Sequence, residues 1–234
     1  MTEHGASLEV RPPKSGKTLD AVQNAISVAT GRAVYGEYRV LKPGPCMIIE
    51  ADDPAGARSI KTILERCSAP KDLPLYVVSR VPYEIGPDLF DWMGSQIAKR
   101  SLRLLILDSY TSTRASRARG GDIVKQEQAD FAGLDELGKR ANCAILVIHH
   151  TAKGSAGLDW SMMAAGTFAV TASTESQTFI QRFPEFDGAA PERLVRFRSR
   201  HASDLEMVLR FRPETLDYEH VLAGGAAALY PLLA

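Results

Sequence analysis

Arg11-Pro-Pro-Lys-Ser-Gly-Lys-Thr18 decides how this chain is read. An apolar segment at 6–10 leads into it and a helix-patterned segment at 19–30 leads out, which is the strand, tight loop and helix that a phosphate-binding loop needs. Backbone N–H groups at Lys14, Ser15, Gly16, Lys17 and Thr18 would curl around an anion at the positive end of the helix dipole. Lys17 would then reach the outer phosphates and the Thr18 hydroxyl would hold Mg²⁺. The motif G-x-x-x-x-G-K-[ST] wants glycine at 11, and this chain has arginine. If that position requires φ > 0, the side chain costs roughly 1–2 kcal/mol. The alternative is a helix-capping loop that happens to contain Gly-Lys-Thr, so the rest of the chain must decide.

Composition sets the frame. A length of 234 residues suits one α/β domain with a large core. A hydrophobic content of 45% and a mean hydropathy near zero fit a soluble globular protein. Zero formal net charge provides no global positive field, so any DNA contact must come from local basic loops. Cys46, Cys67 and Cys143 lack metal-ligand spacing and read as buried thiols of a reducing compartment, which points to the cytoplasm. No signal peptide opens the chain and no apolar run reaches transmembrane length, so no membrane is expected as a partner. The apolar tail at about 217–234 reads as a packing arm or a subunit contact.

Along the chain, Leu19, Val22, Ile26 and Ala29 fall on one helical face, and Gly31 is placed to end that helix. The run 46–49 is a buried strand leading to Glu50-Ala-Asp52-Asp53-Pro54, where Asp53 is expected to cap the next helix. Further strands are expected at 75–79, 102–107 and 144–148, with helices at 87–100 and 122–141 between them. Alternating segments at 177–182, 194–198 and 206–211 are expected to be antiparallel strands. The expected fold is therefore α/β: a mainly parallel central sheet with helices on both faces and C-terminal antiparallel strands, in a single domain spanning 1–234.

In such sheets ligands bind where the carboxyl ends of the strands gather. Here those ends carry the phosphate loop, Glu50/Asp52/Asp53, Asp108 and His149/His150. Asp108, after a run of aliphatic residues, sits where a Walker B aspartate binds Mg²⁺; the alternative is a strand-end acid capping a turn. Glu50 or Asp52 is the carboxylate to orient or deprotonate an attacking water, with Asp52 and Glu50 preferred over the capping Asp53. Either imidazole at 149 or 150 is placed to donate to a γ-phosphate, or is structural.

Together the runs Pro13-Lys-Ser-Gly-Lys-Thr18, Ala29-Thr-Gly-Arg32, Pro43-Gly-Pro45, Ile49-Glu-Ala-Asp-Asp-Pro54, Leu107-Asp108 and Val147-Ile-His-His-Thr-Ala-Lys153 resemble the RecA-like AAA ATPases of plasmid and phage replication. These are P-loop relatives of the RepA-type hexameric replicative helicases, and the resemblance spans roughly 6–215. It implies ATP and Mg²⁺ as cofactors and a homo-oligomeric, hexameric ring. The family reads Glu-Asp-Pro where this chain has Asp52-Asp53-Pro54, so its catalytic glutamate maps onto Asp52, one methylene shorter. Its paired cations near the C-terminus map onto Arg198 and Arg200, which would act in trans on a neighbouring subunit's nucleotide. Its channel loops map onto 111–125 and 151–165, where Arg114, Arg117, Arg119, Lys125 and Lys153 would follow the phosphates of single-stranded DNA.

Two other readings remain at this stage. One is a RecA-like module that binds or anneals DNA without turnover, which the departures at Arg11 and Asp52 favour. The other is a small-molecule kinase, against which stand the two histidines and the lack of an Arg-rich lid segment.

Overall fold

The computed structural model describes residues 4–12, 15–53, 55–79, 81–114, 122–151, 173–182 and 191–223. The elements run β1 (Gly5–Arg11), α1 (Lys17–Thr30), β2 (Cys46–Glu50), α2 (Gly56–Arg66), β3 (Leu75–Ser79), α3 (Pro87–Arg100), β4 (Leu104–Asp108) and α4 (Tyr110–Thr113). They continue with α5 (Ile123–Ala141), β5 (Ala144–His150), β6 (Ser176–Arg182), β7 (Glu192–Ser199), β8 (Leu205–Arg212) and β9 (Asp217–Ala223).

All nine described strands join one sheet in the order β3-β2-β4-β5-β1-β6-β7-β8-β9. Strands β1, β2, β4 and β5 are buried at nearly every position, because helices cover both faces. Period-two alternation splits their side chains between two cores. Val10, Met47, Leu107 and Val147 pack with α3 and α5, whereas Ile48, Ile106 and Leu146 pack with α1 and α2. Helix ends follow local chemistry. Gly31 closes α1 at φ 76°, in the left-handed region glycine enters without strain. Pro87 opens α3, where its missing N–H costs nothing. The Asp122 side chain caps α5 by accepting from the Lys125 N–H.

The structure departs from three expectations. First, β6 is a mixed strand: it pairs parallel to β1, through Ser7↔Ser176 to Val10↔Phe179, and antiparallel to β7, and the antiparallel pairing then continues through β8 and β9. Alternation along 177–182 reports which face is buried, and that pattern is the same for either strand direction. Second, the first part of the tail, Asp217–Ala223, is the edge strand β9, with Tyr218 buried; residues 224–234 lie outside the described residues. Third, Asp53 does not cap α2. Its carboxylate accepts the Ala55 N–H at 2.8 Å and closes the turn before the helix, whose cap position is Ala55.

Candidate functional site

The loop between β1 and α1 ends at Gly16, with φ 87° and no side-chain cap over the first turn of α1. Those N–H groups are therefore open to an anion. Gly16 is needed twice over. Its backbone is left-handed, and a β-carbon there would meet the Tyr218 hydroxyl at 3.1 Å. The Ser15 hydroxyl donates to the Pro12 carbonyl at 2.6 Å, which ties the loop to the end of β1. Lys17 Nζ lies 2.8 and 2.9 Å from the two ring nitrogens of His150 and 3.6 Å from Asp52 Oδ2. The Thr18 hydroxyl donates to Asp108 Oδ2 at 3.0 Å. Lys14 lies outside the described residues.

The carboxylates come from adjacent strand ends. Parallel pairing of β2 with β4 sets Glu50 opposite Asp108. Glu50 Oε1 accepts the N–H groups of Asp52 and Asp53 at 3.0 and 3.1 Å, so its side chain holds the turn that carries Asp52. Gly56 leaves it the space: a β-carbon there would stand 2.1 Å from Glu50 Cγ. Burial, and then the neighbouring Asp108, push the Glu50 carboxyl up to about 7. Burial also raises Asp108, against the pull of Lys17. At Asp52 burial raises the carboxyl too, but the Ser112 hydroxyl at 2.6 Å, Lys17 and His150 outweigh it and hold the group below the usual range.

Among the described residues, Asp108 Oδ1 and Glu50 Oε2 are buried without a hydrogen-bond partner. An orphaned buried carboxylate oxygen beside the Thr18 hydroxyl is a fitting donor set for a hard divalent cation such as Mg²⁺. Among the described residues no group of three or more His, Cys, Asp or Glu side chains forms a metal cage. A cation here would complete its shell with phosphate and water, as Mg²⁺ commonly does.

The two histidines part company, because neighbours on a strand face opposite sides. His150 joins Lys17 and Asp52. His149 is 1% exposed, meets Thr111 Oγ1 at 3.2 Å and packs edge-on against Tyr110. Arg198 lies near the end of β7 that pairs with the start of β6, opposite the phosphate-loop edge, and holds Asp204 at 3.1 Å. The Arg200 N–H donates to the Glu175 carbonyl at that same end. Neither arginine joins this chain's own Lys17 group. Of the basic loop residues, Arg114 reaches the buried Glu127 at 3.4 Å, and Lys125 is exposed beside Asp122. Arg117, Arg119 and Lys153 lie outside the described residues.

Sequence reasoning missed two features. Arg11 is fully buried at the end of β1, and its φ is not positive, so the strain anticipated for a non-glycine residue does not arise. Its guanidinium pairs with Glu9 at 2.7 Å and Asp20 at 2.6 Å and lies over the Tyr218 ring, while the Tyr35 hydroxyl donates to Asp20. The signal was an arginine in a glycine position with an acid two residues before it and another in the first turn of α1. The second is Ser112, whose signal was the hydroxyl run 109–113 directly after Asp108.

The profile of the AAA domain family matches residues 2–156. No curated protein matches the sequence. Among solved structures, an ATPase domain superposes with a TM-score of 0.73 at 9% identity, covering 95% of this chain and 86% of that one. The RadB recombinase superposes with a TM-score of 0.65 at 12% identity, covering 93% and 91%. At these identities the likeness is one of fold: a RecA-like α/β sheet with C-terminal antiparallel strands.

Proposed function

We propose that this chain, which belongs to the AAA domain family, is a P-loop ATPase that assembles as a ring and couples Mg-ATP hydrolysis to movement or remodelling of single-stranded DNA, as the RepA-type helicases it resembles do. We read 1–234 as its one ATPase domain. The observation that carries the reading is the meeting of Lys17, Thr18, Asp52, Asp108 and His150 at a single sheet edge, beside the uncapped first turn of α1.

Each group has a task. Nucleotide binding exchanges the contacts of Lys17 with His150 and Asp52 for phosphate oxygens, and the N–H groups of Gly16 to Thr18 take the rest of the anion's charge. Thr18 and Asp108 would hold Mg²⁺, which would neutralise the charge that builds on the phosphates. Asp52, held ionised, accepts the proton of the water that attacks the γ-phosphorus as the bond to ADP breaks. His150, released from Lys17, donates to the γ-phosphate. Glu50 fixes the turn bearing Asp52. Arg198 and Arg200, remote from their own site, would complete a neighbour's in a hexamer. Arg114, Arg117, Arg119, Lys125 and Lys153 would track a DNA strand.

ATP hydrolysis measured with and without a single-stranded oligonucleotide tests this. The expected result is turnover that rises with DNA and vanishes in Lys17→Ala. ATP binding without hydrolysis in the parent chain would favour the non-catalytic DNA-binding module, and unchanged ATP affinity in Lys17→Ala would remove the site assignment.

A further inference from the structure

A cavity of about 340 Å³ opens on the α1 face of the sheet, and none of Lys17, Thr18, Asp52, Asp108 or His150 lines it. Its sheet side is mostly apolar, with Leu146, Val195, Phe197 and Met207 contributed by three different strands, beside the polar Glu9 and Thr178. Asn24 and Val28 of α1 form a second wall, and the turn at 34–42 supplies Val34, Tyr38 and Leu41, the last 62% exposed. The size and apolar lining are those of a small-molecule site, which commonly holds a few fixed polar groups in a hydrophobic cleft.

The charge on the lining is one-sided. Arg39, Lys42 and Arg103 all line the cavity, and Lys42 is exposed, so positive charge lies towards solvent. The one acid among the lining residues, Glu9, is already held by Arg11 at 2.7 Å.

We propose that this cavity is a second ligand site, separate from the nucleotide edge, for a small amphipathic anion: an apolar chain or ring system ending in one carboxylate or sulfonate. The apolar body lies on Leu146, Val195, Phe197 and Met207, and the anionic end meets Arg39 and Arg103. Burial raises the Glu9 carboxyl to about 8, which lowers its repulsion of such a ligand at neutral pH. Glu9 gives the site a route to the phosphate loop. A ligand resting on it touches the partner of Arg11, which in turn holds Asp20 in the first turn of α1. The inference does not depend on ATP turnover.

Fluorescence titration of the full chain with 8-anilinonaphthalene-1-sulfonate, an aromatic sulfonate, tests it, with decanoate as competitor. The expected result is one saturable site per chain, displaced by decanoate and kept in Lys17→Ala. Val34→Trp, which fills the cavity from a half-buried position, should weaken binding by about tenfold or more. Arg39→Glu, at a position open to solvent, should weaken it by about two- to fivefold with the unfolding transition unchanged. Absence of saturable binding overturns the proposal, as does equal binding in both cavity variants. Loss in Lys17→Ala would assign the probe to the nucleotide edge and overturn it as well. Binding that appears only after deletion of 224–234 would make the chain's own tail the occupant and exclude a free ligand.

Discussion

Arg11 and Lys17 stand at the two ends of one loop, and both are cations facing carboxylates. Arg11 is fully buried, with Glu9 and Asp20 at 2.7 and 2.6 Å. Lys17 meets Asp52 at a looser 3.6 Å, and the Asp52 side chain is 37% exposed. The short, sealed pairs have nothing to exchange with, so their role is to fix β1 against α1. The longer contact of Lys17 with the part-exposed Asp52 can be surrendered to phosphate. Burial and slack, more than charge, separate a structural cluster from a chemical one along this loop.

The sharpest way to break that distinction is Arg11→Met. Removing the cation leaves the buried Asp20 uncompensated and takes from Glu9 its guanidinium donor, and the expected loss is about 3–5 kcal/mol in urea unfolding. Arg11→Gly restores the glycine of the standard motif and should lose as much. A neutral Arg11→Gly would mean that the cluster does not hold the fold. Next comes Lys17→Ala, expected to weaken ATP binding by on the order of 100-fold, or about 3 kcal/mol, in a calorimetric titration. Its unfolding free energy should move by only about 1 kcal/mol. A loss matching that of Arg11→Met would erase the contrast.

Glu50 lies between the two extremes, buried yet part of the open edge. Its carboxyl is raised from 4.5 to about 7, so between those values the folded chain holds a proton that the unfolded chain has released. Stability from this group is therefore full below about pH 4.5 and is lost as pH rises through about 7. Glu50→Gln keeps the acceptor oxygen for the N–H groups of Asp52 and Asp53 and removes the titration. At pH 8 the variant should be more stable than the parent by about 1–3 kcal/mol in denaturant unfolding, and equal to it near pH 4. Its slope against pH becomes shallower without vanishing, because burial raises Glu9 to about 8 and adds a change of the same sign.

The sheet was legible because β2, β4 and β5 are each a continuous apolar run stopped by an acid or a histidine, as at Leu104–Asp108. The phosphate loop was legible because Gly-Lys-Thr sits between a strand pattern and a helix pattern. What could not be read was contact between distant segments. Nothing local in Asp217–Ala223 says that Tyr218 returns to lie under Arg11 and against Gly16. That strand lacks a period-two alternation, and the apolar run that begins at Val221 made the whole stretch read as a tail. The pairing of Glu50 with Asp108 depends on register between strands separated by α2, β3 and α3. The division of His149 from His150 needed only the two-residue period, applied one step past the predicted end of the strand.

Ser112 makes the finest test of the open cluster, because its hydroxyl bonds to Asp52 and Ser109 and so reaches Lys17 only through the Asp52 carboxylate. That hydroxyl donates to Asp52 Oδ1 at 2.6 Å and is the first of the influences that offset burial and keep the carboxyl low. Ser112→Ala removes one hydrogen bond to a half-exposed charge, an effect of about 1 kcal/mol after solvent screening. If Asp52 takes the proton of the attacking water, it must be ionised to act, so turnover falls as pH drops through its pKa. With Ser112 gone that pKa rises, and the acid limb of the rate profile moves to higher pH. At pH 8, where Asp52 remains ionised in both chains, kcat should fall by no more than about fivefold, the rate equivalent of that hydrogen bond. An unmoved acid limb in Ser112→Ala, together with loss of turnover in Glu50→Gln, would transfer the proton-accepting role to Glu50 and leave Asp52 as the partner that Lys17 gives up.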